Sequence, residues 1–283
     1  MAKILACIDG SIYSRSVSDQ AAWAASRLDQ PIELLHVLGR REVSTIPVDI
    51  SGTLVAYSQD ILAELAAMDE QRATLSQRRG RLILDEARAR LEEAGTPAAQ
   101  AHLYNGDLVE TVGEFESETS LIVIGKRGEA ANFAKLHLGS NLERVARAVR
   151  KPILVAARAF RPVRRFLIAF DGGPSVTRAV EAIAAGQLLR GLEAHLLMAG
   201  NPDGDAKARL GAAEAALRGA GWTVEARVVP GEPEAVIAAE VERAEIDLLV
   251  MGAYGHSRIR SLIIGSTTTA MVRSCLIPVL MMR

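Results

Sequence analysis

Residues 246–267 of the chain read IDLLVMGAYGHSRIRSLIIGST. The apolar run Ile246–Val250 has the length and the branched side chains of a buried strand, and it leads directly into the glycine pair Gly252 and Gly255. Nine residues later comes Gly265–Thr267, which opens a helical segment. The spacing G-x2-G-x9-G-S-T therefore predicts a strand, a glycine loop and a helix N-terminus in succession, an arrangement that can bind phosphate.

The same plan occurs twice along the chain. An apolar strand ending in Asp-Gly leads into an alanine-rich helix at Asp9 and again at Asp171. Each copy continues with a second strand, a charged helix, a third strand, a strand before the glycine loop and a last strand after a proline. The first Asp-Gly pairs lie 162 positions apart and the last prolines, Pro152 and Pro278, lie 126 apart. The first copy is therefore longer by about 36 residues, all of them between its second and third strands.

Strands that alternate with amphipathic helices predict the α/β class. We expect two tandem Rossmann-like domains, 1–159 and 163–283, with an insertion at about 39–77 in the first. Each domain would hold a roughly five-stranded, mainly parallel open sheet with helices on both faces, and residues 160–165 would link the two. Ligands of such sheets bind at the carboxyl ends of the strands, near the point where the strand order reverses.

The composition excludes several classes of partner. The chain has 283 residues, with 33 basic and 34 acidic side chains and a net charge of -1, which argues against nucleic-acid binding and against a polybasic membrane anchor. No apolar run reaches the length of a transmembrane helix, and the N-terminus does not read as a signal peptide. We therefore expect a cytoplasmic protein whose two cysteines, Cys7 and Cys275, are buried and reduced.

The second copy holds the stronger candidate site. Gly252, Gly255 and Gly265 would let the backbone approach a ligand, while Ser266 and Thr267 would add hydroxyl groups at the positive end of a helix. The alternative is that the glycines only make turns and Ser266 only caps its helix. Asp171 could meet a ribose hydroxyl or a metal ion, or it could form an Asx turn, and the sequence leaves both open. Arg258 and Arg260 could screen phosphate charge or remain solvated.

The first copy has an altered version of this loop. Gly125 and Gly128 are followed by ten residues before Gly139 and Ser140, one residue more than in the second copy. Lys126 and Arg127 could still help this loop to bind an anion. The chain contains no P-loop, no G-x-G-x-x-G after its first strand and no G-x-S-x-G. Its five histidines show no metal-ligand spacing, so the sequence indicates no metal site and no catalytic residue.

The insertion carries one further feature. Its helical part, 58–73, has an apolar stripe for which core packing is the default expectation and a partner or dimer surface the alternative. The stripe consists of Ile61, Leu62, Leu65, Ala66 and Met68.

These residues resemble a known family. The chain is similar over nearly its full length to a tandem universal stress protein, and its G-x2-G-x9-G-S spacing matches the ATP-binding signature of that family. The first copy, with Gly125-Lys126-Arg127-Gly128, resembles the branch typified by the proteobacterial stress protein A, whose members often lack nucleotide. The family also pairs domains through their last strands, which here would join Ile153–Ala156 to Val279–Met282.

The resemblance implies which residues line the sites. An ATP site, with or without Mg²⁺, would be lined by Asp171, Ala199, Gly252, Gly255, Gly265, Ser266 and Thr267. A second site at the corresponding positions would use Asp9, Val37, Gly125, Gly128, Gly139 and Ser140. Partners would then be an adenine nucleotide, a second copy in a homodimer and a regulatory protein.

Three functions stay open at this point. The chain could be a nucleotide-dependent regulatory switch in a stress response, a slow ATPase that uses the same site, or a nucleotide-free scaffold that binds a partner or a small ligand. The sequence offers no general base positioned for water, which disfavours the ATPase.

Overall fold

The computed structural model describes residues 2–39, 59–96, 100–128, 140–253 and 266–283. Within these ranges the chain alternates between strands and helices. The strands are β1 (Lys3–Cys7), β2 (Ile32–Gly39), β3 (Gln100–Gly106), β4 (Thr119–Gly125), β5 (Ile153–Ala156), β6 (Arg165–Ala169), β7 (Glu193–Ala199), β8 (Val224–Val229), β9 (Leu248–Gly252) and β10 (Val279–Met282). The α-helices are α1 (Ser14–Leu28), α2 (Gln59–Glu93), α3 (Leu108–Phe115), α4 (Ser140–Ala148), α5 (Pro174–Ala185), α6 (Gly204–Gly219), α7 (Pro233–Arg243) and α8 (Ser266–Ser274).

The strands form one continuous sheet in the order β3-β2-β1-β4-β5-β10-β9-β6-β7-β8. All neighbours are parallel except β5 and β10, which pair antiparallel with Leu154 opposite Leu280. The α/β class and the pairing through the last strand of each half are therefore confirmed. The two open sheets expected from the repeat join into one, because each half covers the edge that the other would leave exposed.

Two apolar cores lie on the two faces of this sheet. Alternate residues of one strand point to opposite faces, so that Ile4 belongs to one core and Leu5 to the other. Both cores contain residues of both halves: Leu34 and Leu196 share the first, and Leu35 and Leu197 share the second. Because both faces are covered, the central strands are apolar along nearly their whole length.

The insertion in the first half lengthens a helix. Helix α2 has 35 residues, whereas its counterpart α6 has 16. The charged helix of the first copy was expected near 78–94, separate from the segment 58–73. No proline or glycine interrupts residues 59–79, however, and the structure joins the two segments. Leu84 and Leu91 of α2 pack in the core, whereas Leu65, Ala66 and Met68 are exposed. Core packing was therefore the wrong expectation for these three, and the side chains of Ile61 and Leu62 lie outside the described ones.

The expected linker is partly structural. Arg165 is already the first residue of β6, and its guanidinium pairs with Glu193 and Glu245 at 3.2 and 2.8 Å. Val163 is buried in the first core. The C-terminal end of the segment that links the two halves is therefore packed against the second half.

Among the basic side chains that cross from one half to the other, Lys126 and Arg283 bind at the C-terminal ends of helices. The Lys126 amine donates to the carbonyl of Cys275, just after α8, and the Arg283 guanidinium donates to the carbonyl of Val149, just after α4, at 2.6 Å. Each places a positive charge at the negative end of a helix of the opposite half.

Among the described residues, no helix combines the length and the apolar character needed to cross a membrane.

Candidate nucleotide site

The candidate site lies where the strand order reverses in the second half. Strands β6 and β9 are neighbours, yet the chain continues from them to opposite sides, so their carboxyl ends border a crevice. Asp171 follows β6, Ala199 ends β7 and Gly252 ends β9. Ser266 and Thr267 begin α8. Gly255 and Gly265, together with Arg258 and Arg260, lie outside the described residues.

Asp171 organises the turn that follows β6. Its carboxylate accepts a hydrogen bond of 2.8 Å from the backbone N–H of Gly173, which is the Asx turn weighed above. Gly172 has φ +72°, a left-handed conformation that favours glycine. The Asp171 residue is nevertheless exposed at the border of the crevice.

Packing at the end of β9 favours a glycine at position 252. A Cβ on Gly252 would stand 3.1 Å from the Cβ of Ser175 and 3.2 Å from the backbone nitrogen of Val176, at the start of α5. The carbonyl of Gly252 also accepts a hydrogen bond of 2.9 Å from the Thr268 hydroxyl in α8. The end of β9 is therefore fixed against both helices that border the crevice. This close approach favours a glycine at position 252 whether or not a ligand binds there.

The sequence analysis missed Arg209. This residue of α6 places its Nε 3.0 Å from where a Cβ on Gly172 would stand, which brings a positive charge to the edge of the crevice. In the first half, Arg79 of α2 is placed similarly, with Nη2 4.0 Å from the corresponding point on Gly10. The helices carrying these arginines come from remote segments, so only the repeat itself, with a basic residue in the same helix of each copy, could have suggested them.

The crevice of the first half has the same aspartate at its first strand but a larger side chain, Tyr13, beside its fourth strand. Asp9 accepts from the backbone N–H of Ser11 at 3.0 Å, and its other carboxylate oxygen lies 3.1 Å from where a Cβ on Gly128 would stand. The position of Ser175 is taken by Tyr13, whose Cβ lies 2.8 Å from the corresponding point on Gly125. Val37 is half-buried near the end of β2. Ser140 begins α4 with its side chain outside the described ones, and Gly139 is outside the described residues.

Lys126 does not face this crevice. It is buried, 6% exposed, with its amine directed to the carbonyl of Cys275 in the other half. Burial lowers the pKa of Lys126 to about 8. The role expected for it in anion binding is therefore wrong, because the docking of the two halves draws its side chain away from the loop.

A partly buried charged cluster lies at β7, β8 and α7. His195, Glu225 and Glu240 bring ligand-type atoms within 4.8 Å of one another. The Glu240 carboxylate accepts hydrogen bonds from Arg243 at 2.6 Å and from Arg227 at 2.8 Å, and these two guanidinium groups lower its pKa. Spacing along the sequence did not reveal this group, since its members come from three different elements. Because two cations already compensate the carboxylate, we assign the cluster to an ion-pair network.

Comparison with known proteins identifies the family. The model of the universal stress protein family matches residues 1–157 and 192–283. The chain belongs to the universal stress protein family. Asp171 and the Asp-Gly turn of the second half lie between the two matched stretches.

Relatives of the same length support this assignment. The chain is 37% identical over 287 residues to a universal stress protein of Synechocystis sp., with 100% of both chains covered. It is 25% identical to a universal stress protein of Mycolicibacterium smegmatis, covering 99% of this chain and 96% of the relative. A universal stress protein from Archaeoglobus fulgidus has the same fold, with a TM-score of 0.72 and 24% identity, covering 99% of this chain and 97% of that one. The tandem arrangement and the stress-response role of the family therefore apply to this chain.

The two cysteines should be unreactive in the folded protein. Cys7 and Cys275 are both free and buried, and burial raises the pKa of Cys7 to about 12 and also raises that of Cys275. We expect almost no reaction with Ellman's reagent at pH 8 under native conditions and two equivalents of reaction in denaturant. Rapid reaction of one native equivalent would contradict the burial of these thiols.

Proposed function

We propose that this universal stress protein binds ATP in the crevice of its second half and that the bound nucleotide controls which partner the protein engages. The observation that carries the proposal is the set of groups at one crevice. Asp171 offers an exposed carboxylate for the ribose, and Ala199 offers a small apolar surface for the adenine. The N-terminus of α8, with Ser266 and Thr267, offers N–H and hydroxyl donors for the phosphates.

The charge of the crevice suits the ligand. Arg209 supplies a positive charge beside the Asp-Gly turn, and Asp171 could share a Mg²⁺ ion with the phosphates. Gly255 and Gly265 complete the proposed set from the sequence alone. Asp171 is the only carboxylate among the described residues of the proposed site, and its assignment to the ribose or to a Mg²⁺ ion leaves it no role as a general base, which favours a nucleotide-dependent switch over a slow ATPase.

We infer that the first half binds nucleotide more weakly. Tyr13 takes the place of Ser175 beside the strand end, and Lys126 is used to join the halves. Both features agree with the resemblance of this half to the stress protein A branch. A second ATP site at Asp9, Val37, Gly125, Gly128, Gly139 and Ser140 is therefore the weaker proposal.

The nucleotide that accompanies the purified protein tests the proposal. Mass spectrometry after denaturation should detect adenine nucleotide, with ATP indicating a switch and ADP indicating turnover. Titration calorimetry of nucleotide-free protein should give one strong site per chain. Absence of nucleotide, together with no heat and no thermal shift on adding ATP, would leave the nucleotide-free scaffold as the function.

A matched pair of substitutions locates the site. Asp171→Ala should weaken ATP binding about tenfold or more, since a hydrogen bond to a charged group contributes roughly 1.5–3 kcal/mol. Asp9→Ala removes the equivalent turn in the other half, so its cost to folding should be similar while the ATP affinity stays unchanged. Calorimetry on both variants measures the difference. Loss of affinity only in Asp9→Ala would move the site to the first half.

A homodimer was also expected from the sequence. It requires a surface on which two copies can meet, and the long helix of the insertion offers one.

A further inference from the structure

Helix α2 carries a row of exposed apolar side chains. Leu65, Met68, Leu75 and Leu82 are 42%, 56%, 63% and 69% exposed. The opposite side of the same helix contributes Leu84 and other residues to the core. Residues 63–79, which precede this packed part of α2, are all exposed or half-buried, so no described residue of the chain covers the row there. Several large apolar side chains exposed in one row mark an interaction surface.

The spacing of this row is that of a coiled-coil seam. Met68, Leu75 and Leu82 recur every seven residues, and Leu65 lies three residues before Met68. Seven residues are close to two turns of an α-helix, so these side chains form a nearly straight line along α2. A line of this kind buries itself most readily against a second helix with the same repeat. The spacing therefore points to a helical occupant.

The charges along α2 select which helix fits. Residues 63–70 carry three acidic side chains and no basic one, whereas residues 71–82 carry four arginines and no acidic one. The acidic residues are Glu64, Asp69 and Glu70, and the basic ones are Arg72, Arg78, Arg79 and Arg81. A second α2 in the antiparallel direction would place each acidic segment beside a basic one, whereas a parallel one would place like charges together.

We propose that two copies of the full chain form a homodimer in which their α2 helices pair antiparallel along this row. The two-fold axis would pass near residues 71 and 72, which sets Met68 of one copy opposite Leu75 of the other. The 20 residues from 63 to 82 extend roughly 30 Å. Strands β5 and β10, which would otherwise offer pairing edges, already bind each other within the chain, so the second copy uses a different surface.

Light scattering after size-exclusion chromatography tests the proposal over a concentration series. The wild-type chain should have twice the mass of one chain, and Leu75→Glu should have the mass of one. Leu276→Glu is the matched control, because Leu276 is 91% exposed but lies after α8, away from the row; this variant should stay dimeric. Circular dichroism should give the same helix content for all three. A monomeric wild type, or a dimer that survives Leu75→Glu, would overturn the proposal.

Disulfide trapping tests the direction of pairing. An equimolar mixture of Met68→Cys and Leu75→Cys chains should form a disulfide between the two variants on mild oxidation, while each variant alone should form little. The native Cys7 and Cys275 are buried and should not interfere. Efficient self-linking of Met68→Cys alone would indicate parallel helices and would overturn the antiparallel arrangement.

Discussion

Replacing Leu280 by alanine should lower the free energy of unfolding by about 2–5 kcal/mol, and it should destabilise both halves of the chain together. Leu280 is 2% exposed in β10, where it pairs with Leu154 of β5 on one side and Val250 of β9 on the other. The core around it contains residues of both halves. A cavity at this position therefore weakens the contact by which each half covers the other.

The two tryptophans make the test specific for each half. Trp23 lies in α1 of the first half, and Trp222 stacks edge-on against Phe166 of the second at 5.5 Å. Trp222→Phe and Trp23→Phe chains would each leave one reporter, and in each chain the fluorescence of that reporter should give the same denaturant midpoint as circular dichroism, which follows both halves. Leu280→Ala should shift both midpoints equally. The control Leu276→Ala removes the same atoms from an exposed side chain and should change stability by less than about 0.5 kcal/mol.

A shift confined to Trp222 would contradict this coupling and would make the halves independent folding units. The distinction matters for the proposed nucleotide site. If the halves unfold together, ATP bound in the second half stabilises the first half as well, because binding to the folded state shifts the whole equilibrium. The first half could then respond to nucleotide without a site of its own.

Much of the fold could be predicted from the sequence because the repeat sets the order of the elements. Asp9 and Asp171 mark the ends of the first strands, and Gly125 and Gly252 mark the ends of the fourth. Once these strands are parallel, their carboxyl ends must meet at one edge. The continuity of α2 was also predictable, since residues 59–79 contain no proline or glycine. Its start was expected too late because the shorter helix of the second copy, α6, was taken as its match.

Contacts between segments that are distant in the sequence were harder to predict. Lys126 stands in a glycine-rich loop, where local sequence favours an anion site, yet its amine binds the carbonyl of a residue 149 positions away. Arg209 reaches the Asp-Gly turn only after α6 has docked on the sheet. The start of α5 approaches Gly252 closely, a constraint on this residue that the glycine spacing alone did not reveal. Side-chain direction in these cases depends on packing between distant segments, which a local pattern does not encode.

Lys126 should make the stability of the protein rise with pH in the alkaline range. Burial lowers its pKa from 10.5 to about 8, with the nearby charge of Arg127 acting in the same direction. Between these two values the unfolded chain keeps the proton on Lys126 while the folded chain has lost it. The unfolded state then binds more protons, so the free energy of unfolding rises with pH. The gain attributable to this one group is about 3 kcal/mol from pH 8 to pH 10.5.

Comparison with Lys126→Met isolates this contribution. The methionine chain fills a similar volume without a titrating group, and the other lysines and tyrosines titrate alike in both proteins. The difference in free energy of unfolding between wild type and variant should therefore be constant below pH 8 and move in favour of the wild type above it. Denaturant titrations at several pH values measure this difference. A difference in free energy of unfolding that does not change with pH would mean that the Lys126 amine keeps its proton in the folded state. The negative end of α8 would then stabilise the charged amine by more than burial destabilises it.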